Sequence, residues 1–158
     1  MGKNERVPLC GGVSAKPTGW SMIDKSIEAL QDGASLAVYN PDTDTLRTCE
    51  GRGIKTLAEA IGGDKGFFAG ALAADKTVGR AAALLFVYAE VAEVYGAVMS
   101  ESAAEVLKEY GIKFSYGRLV PNILDRTGSD VCPMEKLAAG CPAPFAAWEL
   151  FSAQTLGK

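Results

Sequence analysis

The sequence predicts an α/β protein, a three-layer α/β/α sandwich built on a mixed five-strand sheet. Three observations carry that expectation. The centre of the chain alternates apolar segments of strand length with segments of helical spacing, in the order strand, helix, strand, helix, strand. Such alternation requires crossover connections and parallel neighbours. Ahead of it, "ASLAVYN", "PDTD" and "TLRTCEG" read as two strands around a polar turn, which adds an antiparallel edge. Composition agrees, because 158 residues at 48% hydrophobic and 22% charged suit the core of one ordinary domain.

Taken in order, residues 1–20 are rich in Gly, Pro and polar side chains and read as an extended or mobile leader, with 21–158 as one domain. Ser21 and Asp24 form an N-cap of capping-box type. Ile23, Ile27 and Leu30 follow at helical spacing and Gly33 supplies a left-handed stop, so 22–32 is predicted helical. After the hairpin, "IKTLAEAIGG" reads as a short helix. "GFFAGALAA" reads as a third strand, apolar enough to be buried on both faces. The next helix is predicted to start near Asp75. Val78, Ala82, Leu85 and Ala89 share one face and Ala81, Leu84 and Tyr88 fill much of the rest, so it needs cover on more than one side. "EVYGAVMS" is a fourth strand. Ser102 and Glu105 then make a capping box for a helix over 103–110, and "IKFSYGRLV" is a fifth strand. Beyond Pro121 the pattern turns irregular, with a short helix over "PMEKLAAG" and a proline-broken tail holding Trp148.

Charge and residue usage exclude several functions. The net charge is −3 and Lys and Arg are scattered, which is no footprint for nucleic acid or an anionic membrane. The start "MGKNERVPLCGG" has no apolar signal core, and Arg6 stands where a myristoylation signal needs Ser or Thr. The apolar run over 81–89 is far too short to span a bilayer. These features predict a cytoplasmic protein, and in that compartment Cys10, Cys49, Cys132 and Cys141 are expected to stay unpaired. The chain has no histidine, so no Ser-His or Cys-His dyad exists, and no P-loop, G-x-G-x-x-G or G-x-S-x-G motif is present. Acid–base work near neutral pH would fall to a perturbed Lys, Cys, Glu or Asp.

In open α/β sheets ligands collect beyond the carboxyl ends of the parallel strands. Two predicted helix starts lie there, Asp75–Lys76–Thr77 and Ser100–Glu101–Ser102, and their free amides favour anions. Lys76 suits an anionic substrate group or an amine nucleophile; otherwise it is a solvated lysine in a first turn. Asp75 reads as an N-cap before it reads as a catalyst. Gly79 inside the helix implies close packing or ligand access. Ser100, Glu101 and Ser102 either meet polar ligand groups or simply cap. Cys132, in "SDVCPMEK", precedes a helix with Pro133 at its first position, which lowers a thiol pKa, unless the residue is only a small buried apolar one. Glu135 and Lys136 read as helix-surface residues, Glu135 with the option of pairing Lys76. The Cys132–Cys141 spacing fits no standard metal motif. Arg118 and Arg126 either close over an acidic ligand or sit on the surface.

The order helix, hairpin, "DKTVGRAAALL", "EVYGAVMSESAAEVLKEYGI" and "CPMEKL" resembles an uncharacterised group of small prokaryotic proteins with a cytidine-deaminase-like fold, over about residues 23–140. The wider deaminase superfamily places His-Ala-Glu or Cys-Ala-Glu at the first helix start and Pro-Cys-x-x-Cys at the second, with zinc between them. Here the first start offers Thr77, Val78, Gly79, Arg80 and Ala81, and the second Ser100 to Ala103. A catalytic zinc needs about three protein ligands, and neither start holds a Cys or His. The resemblance therefore implies a deaminase-like domain without zinc or other cofactor, with homo-oligomers as in many superfamily members. It would bind a small anionic or nucleotide-like ligand between the two helix starts, turnover being open. The alternatives are a thiol enzyme or redox sensor using Cys132, and a non-catalytic oligomerisation or interaction module.

Overall fold

The computed structural model describes residues 23–51, 53–124, 127–141 and 143–155. The leader reading of 1–20, Cys10 and Arg126 lie outside them. Helix α1 (Ile23–Gln31) leads into the hairpin of β1 (Leu36–Asn40) and β2 (Thr45–Cys49), followed by α2 (Gly53–Gly63) and the short α3 (Lys65–Phe68). Then come β3 (Leu72–Val78), α4 (Arg80–Ala89), β4 (Glu93–Ser100), α5 (Glu101–Glu109) and β5 (Lys113–Val120). Two further helices, α6 (Pro133–Ala139) and α7 (Pro144–Thr155), end the described chain.

The five strands form one mixed sheet in the order β2-β1-β3-β4-β5. β1 pairs antiparallel with both β2 and β3, while β3, β4 and β5 are parallel. Alternation along β1 assigns its two faces. Leu36 and Val38 join the main core with α2, α4, α5 and α7, whereas Ala37 and Tyr39 join smaller clusters with α1. Helices therefore cover both faces of the sheet. α4 is the central helix: Ala81 through Phe86 and Ala89 are all buried, as a helix apolar all round requires.

Four local expectations give way to the structure. The predicted strand over 66–74 splits. Phe67 and Phe68 lie in α3, because the Asp64 side chain accepts from the Phe67 amide and opens a helical turn. Strand β3 instead runs on through Asp75, Lys76, Thr77 and Val78, so these residues do not start a helix. Its ladder explains the difference: Asp75 is held opposite Leu36 on one side and Gly96 on the other. Gly79 is accordingly the N-cap of α4, not an interior residue. Helix α5 is capped by Ser100, whose Oγ accepts from the Ala103 amide at 3.0 Å, and not by Ser102. Finally, the tail around Trp148 is helical: α7 packs against α2 and α4, and Trp148 stacks on Tyr88 with centroids 5.0 Å apart.

Candidate functional site

The carboxyl half of β3 brings Asp75, Lys76 and Thr77 to the end of the sheet. Gly79 then turns the chain into α4 with an extended backbone and no side chain to cap the helix. The cap comes from 55 residues away. The Glu135 carboxylate of α6 accepts from the Arg80 amide at 2.6 Å and from the Ala81 amide at 3.2 Å. A methyl group on Gly79 would overlap that carboxylate, so the glycine is what lets Glu135 approach. Arg80 returns the contact: its Nε donates to the Ala138 carbonyl at 2.9 Å and a terminal nitrogen to the Cys141 carbonyl at 3.2 Å. A carboxylate thus sits at the positive end of α4, and a guanidinium at the negative end of α6. Glu135 is therefore no helix-surface residue, and Lys136 is the one that faces outward, paired with Asp130 at 2.7 Å.

Beside this clamp lies a cavity of about 780 Å3, the size of a small-ligand site. Ile54 and Leu57 of α2, Ala81 and Ala82 of α4, and Ile123, Leu124 and Met134 make its walls largely apolar. Polar groups reach it from a few places: Ser35 before β1, Asp75, Lys76 and Thr77 from β3, Thr127, Cys132, and Glu135. Of the residues singled out in the sequence, the cavity gathers Asp75, Lys76, Thr77, Gly79 and Cys132. It does not include Ser100, Glu101 or Ser102. The starts of α4 and α5 do lie side by side, since Val78 pairs with Met99. But Ser100 is only 1% exposed and spends its hydroxyl on α5. The hollow instead opens on the other flank of β3, between β1, α2 and α6. Arg118 lies exposed on β5 and does not line it.

Burial raises the Asp75 pKa to about 7, against the smaller opposing effect of the Thr77 and Lys76 amides. The Thr77 amide donates to Asp75 Oδ1 at 3.3 Å. Burial also raises Glu135, opposed by the Arg80 and Ala81 amides and the Arg80 guanidinium. Cys49 is pushed up by burial, then by the charges of Asp75 and Glu59. Among the described residues neither Asp75 nor Lys76 forms an ion pair, with each other or with Glu135. Cys132 is the N-cap of α6, where its thiol makes no capping hydrogen bond and its amide donates to the Ile123 carbonyl at 2.9 Å. Cys49, Cys132 and Cys141 are free thiols. No group of three or more Cys, Asp or Glu among the described residues is arranged to hold a metal ion.

Sequence reasoning missed Glu135 as a cap and Ser35, Ile54, Leu57 and Met134 as walls. The nearest available signal for Glu135 was Gly79, a glycine read as helical whose place implied close packing.

Fold and cavity define a class: a small α/β protein of one mixed sheet, with a ligand-sized hollow at the carboxyl end of its central strand. The chain belongs to the DUF1893 family, a domain of unknown function, which matches residues 15–154. It is similar to a DUF1893 family protein from Thermotoga maritima of known crystal structure, with 26% identity and a TM-score of 0.73, over 84% of this chain and 89% of that one. No curated protein matches the sequence. No helix among the described residues is long and apolar enough to cross a membrane.

Proposed function

We propose that this chain is a small-molecule-binding domain of cytidine-deaminase-like architecture that works without zinc, and that its ligand seat is the cavity flanking β3. The cavity is the observation that carries the reading: about 780 Å3, mostly apolar, with a few convergent polar groups. The deaminase-like part is supported by α4 and α5, which follow adjacent parallel strands as the resemblance implies. Over 77–81 and 100–103, where the resemblance would put metal ligands, this chain has no Cys or His. The ligand class expected from sequence is narrowed. A phosphate at the start of α4 would find its first amides already taken by Glu135. A compact, nucleobase-like body fits the apolar walls better than an anionic group does.

Adenine, cytosine, their nucleosides and the 5′-monophosphates make a direct test by thermal shift. A base or nucleoside at a hundred times its Kd is expected to raise Tm by about 5–10 °C. The monophosphate should do no better. Thr77→Phe places a ring in the cavity from an exposed strand position and should remove the shift. An undiminished shift in that variant would move the site elsewhere.

A second reading is a thiol enzyme or redox sensor, favoured by the Cys132 thiol on the same cavity wall. Cys132 is then expected to be alkylated by iodoacetamide faster than a free model thiol at pH 7, and slower once a ligand fills the cavity. A rate equal to that of the model thiol ends this reading.

A further inference from the structure

We propose that the cavity selects a cation: a protonated amine or amidine on a compact apolar body, with the charged nitrogen docked on the Asp75 carboxylate. The inference rests on the reading of the cavity as a binding site and names the chemistry that site accepts.

Three features point to a cation. The first is the charge placed around the hollow. Asp75 and Glu135 bring two carboxyl groups to its wall, and among the described residues Lys76 is the basic side chain there, on an exposed position. The second is which of those groups is already satisfied. Both Glu135 oxygens are engaged by amides of α4, and its charge faces the Arg80 guanidinium. Asp75 has only backbone N–H groups at its carboxyl, and no ion pair among the described residues. A carboxylate set in an apolar wall without a countercharge is costly, and a ligand cation supplies the missing partner through a charge-assisted hydrogen bond. The third is that the start of α4 offers no anion seat. Its first amides are filled from within by Glu135, so an anion placed there would meet a carboxylate, with Lys76 as the basic side chain lining the cavity among the described residues. The body of the ligand is set by Ile54, Leu57, Ala82 and Met134, against which a flat ring or short aliphatic skeleton buries apolar surface.

Three probes of one shape separate the alternatives: benzamidine (cation), benzamide (neutral) and benzoate (anion), titrated into the full chain at pH 8. Benzamidine is expected to bind about tenfold or more tightly than benzamide, and benzoate more weakly than either. Asp75→Asn should erase the benzamidine preference and leave benzamide binding in place. Lys76→Gln removes a like charge and should tighten benzamidine by about two- to fivefold. Benzoate binding best, or a benzamidine preference that survives Asp75→Asn, overturns the cation assignment. The cavity reading stands in that case if Thr77→Phe still abolishes whichever probe binds. Binding of every probe undiminished in Thr77→Phe, or no binding by any probe at millimolar concentration, overturns the cavity reading together with the cation.

Discussion

Asp75→Asn is expected to raise the melting temperature by about 5–10 °C at pH 8 and to leave it nearly unchanged at pH 4. The reasoning is one of linkage. In the unfolded chain the carboxyl titrates at its ordinary value of 3.8, whereas in the folded protein burial raises it to about 7. Between those values the native state keeps a proton that the unfolded state has released. Stability contributed by the protonated carboxyl is thus present at acid pH and lost as pH rises from about 4 to 7. Each pH unit in that window costs up to about 1.4 kcal/mol. Partial exposure of Asp75 to the cavity screens the full amount, which leaves about 2–4 kcal/mol above pH 7. Asn retains an acceptor for the Thr77 amide but carries no charge, so it escapes this penalty. Among the described residues the ionisable groups around Asp75 are Cys49 on β2, Lys76 beside it on β3, Cys132 at the N-cap of α6 and Glu135 on α6, with Glu59 of α2 beyond Cys49. Cys49 feels the Asp75 charge directly, so its thiol should titrate lower in the Asn variant. Melting curves of both proteins from pH 4 to 9 check the account. A variant that is no more stable than the parent at pH 8 would show that Asp75 is well solvated.

Glu135→Ala is expected to destabilise the protein by about 2–4 kcal/mol, because the Arg80 and Ala81 amides lose their acceptors at the start of the most buried helix. Gly79→Ala should cost about as much by a different route. Its backbone is extended and accepts alanine, but the new methyl group displaces the same carboxylate. The two changes remove one interaction, so the double variant should be no less stable than Glu135→Ala alone. A double-mutant cycle by urea unfolding tests this. Additive losses would mean that Gly79 is needed for something other than room for Glu135.

Much of the sheet was legible because its signals are local. The apolar residues 36–39, the turn residues Pro41, Asp42 and Asp44, and the apolar run 94–99 each mark strand or turn without reference to anything distant. Helix α1 announced itself by Ile23, Ile27 and Leu30 and stopped at Gly33, which has the left-handed backbone expected of it. The misreadings fall where a distant partner decides. "DKT" has the residues of a helix start, yet pairing to β1 and β4 keeps it extended. "SES" offers two serines able to cap, and the one at the end of the β4 ladder wins. Around Trp148 the apolar residues of α7 follow no single face, because α2 and α4 cover it from two sides, so periodicity gave no helix. The site was half visible for the same reason. Asp75, Lys76, Thr77 and Cys132 were recognisable by residue type, but the flank of β3 on which they meet depends on α6. The contact that seats α6 joins Glu135 to Arg80 and Ala81 across more than fifty residues.

The side-chain carboxyl of Asp75, followed by carbon-13 NMR from pH 4 to 9 with and without benzamidine, offers the most direct measurement. The expected free protein titrates this carbon near pH 7, and benzamidine lowers the midpoint by a unit or more because the ligand cation favours the ionised form. A midpoint near 4 that benzamidine leaves in place would contradict both the buried acid and the cation it is held to receive.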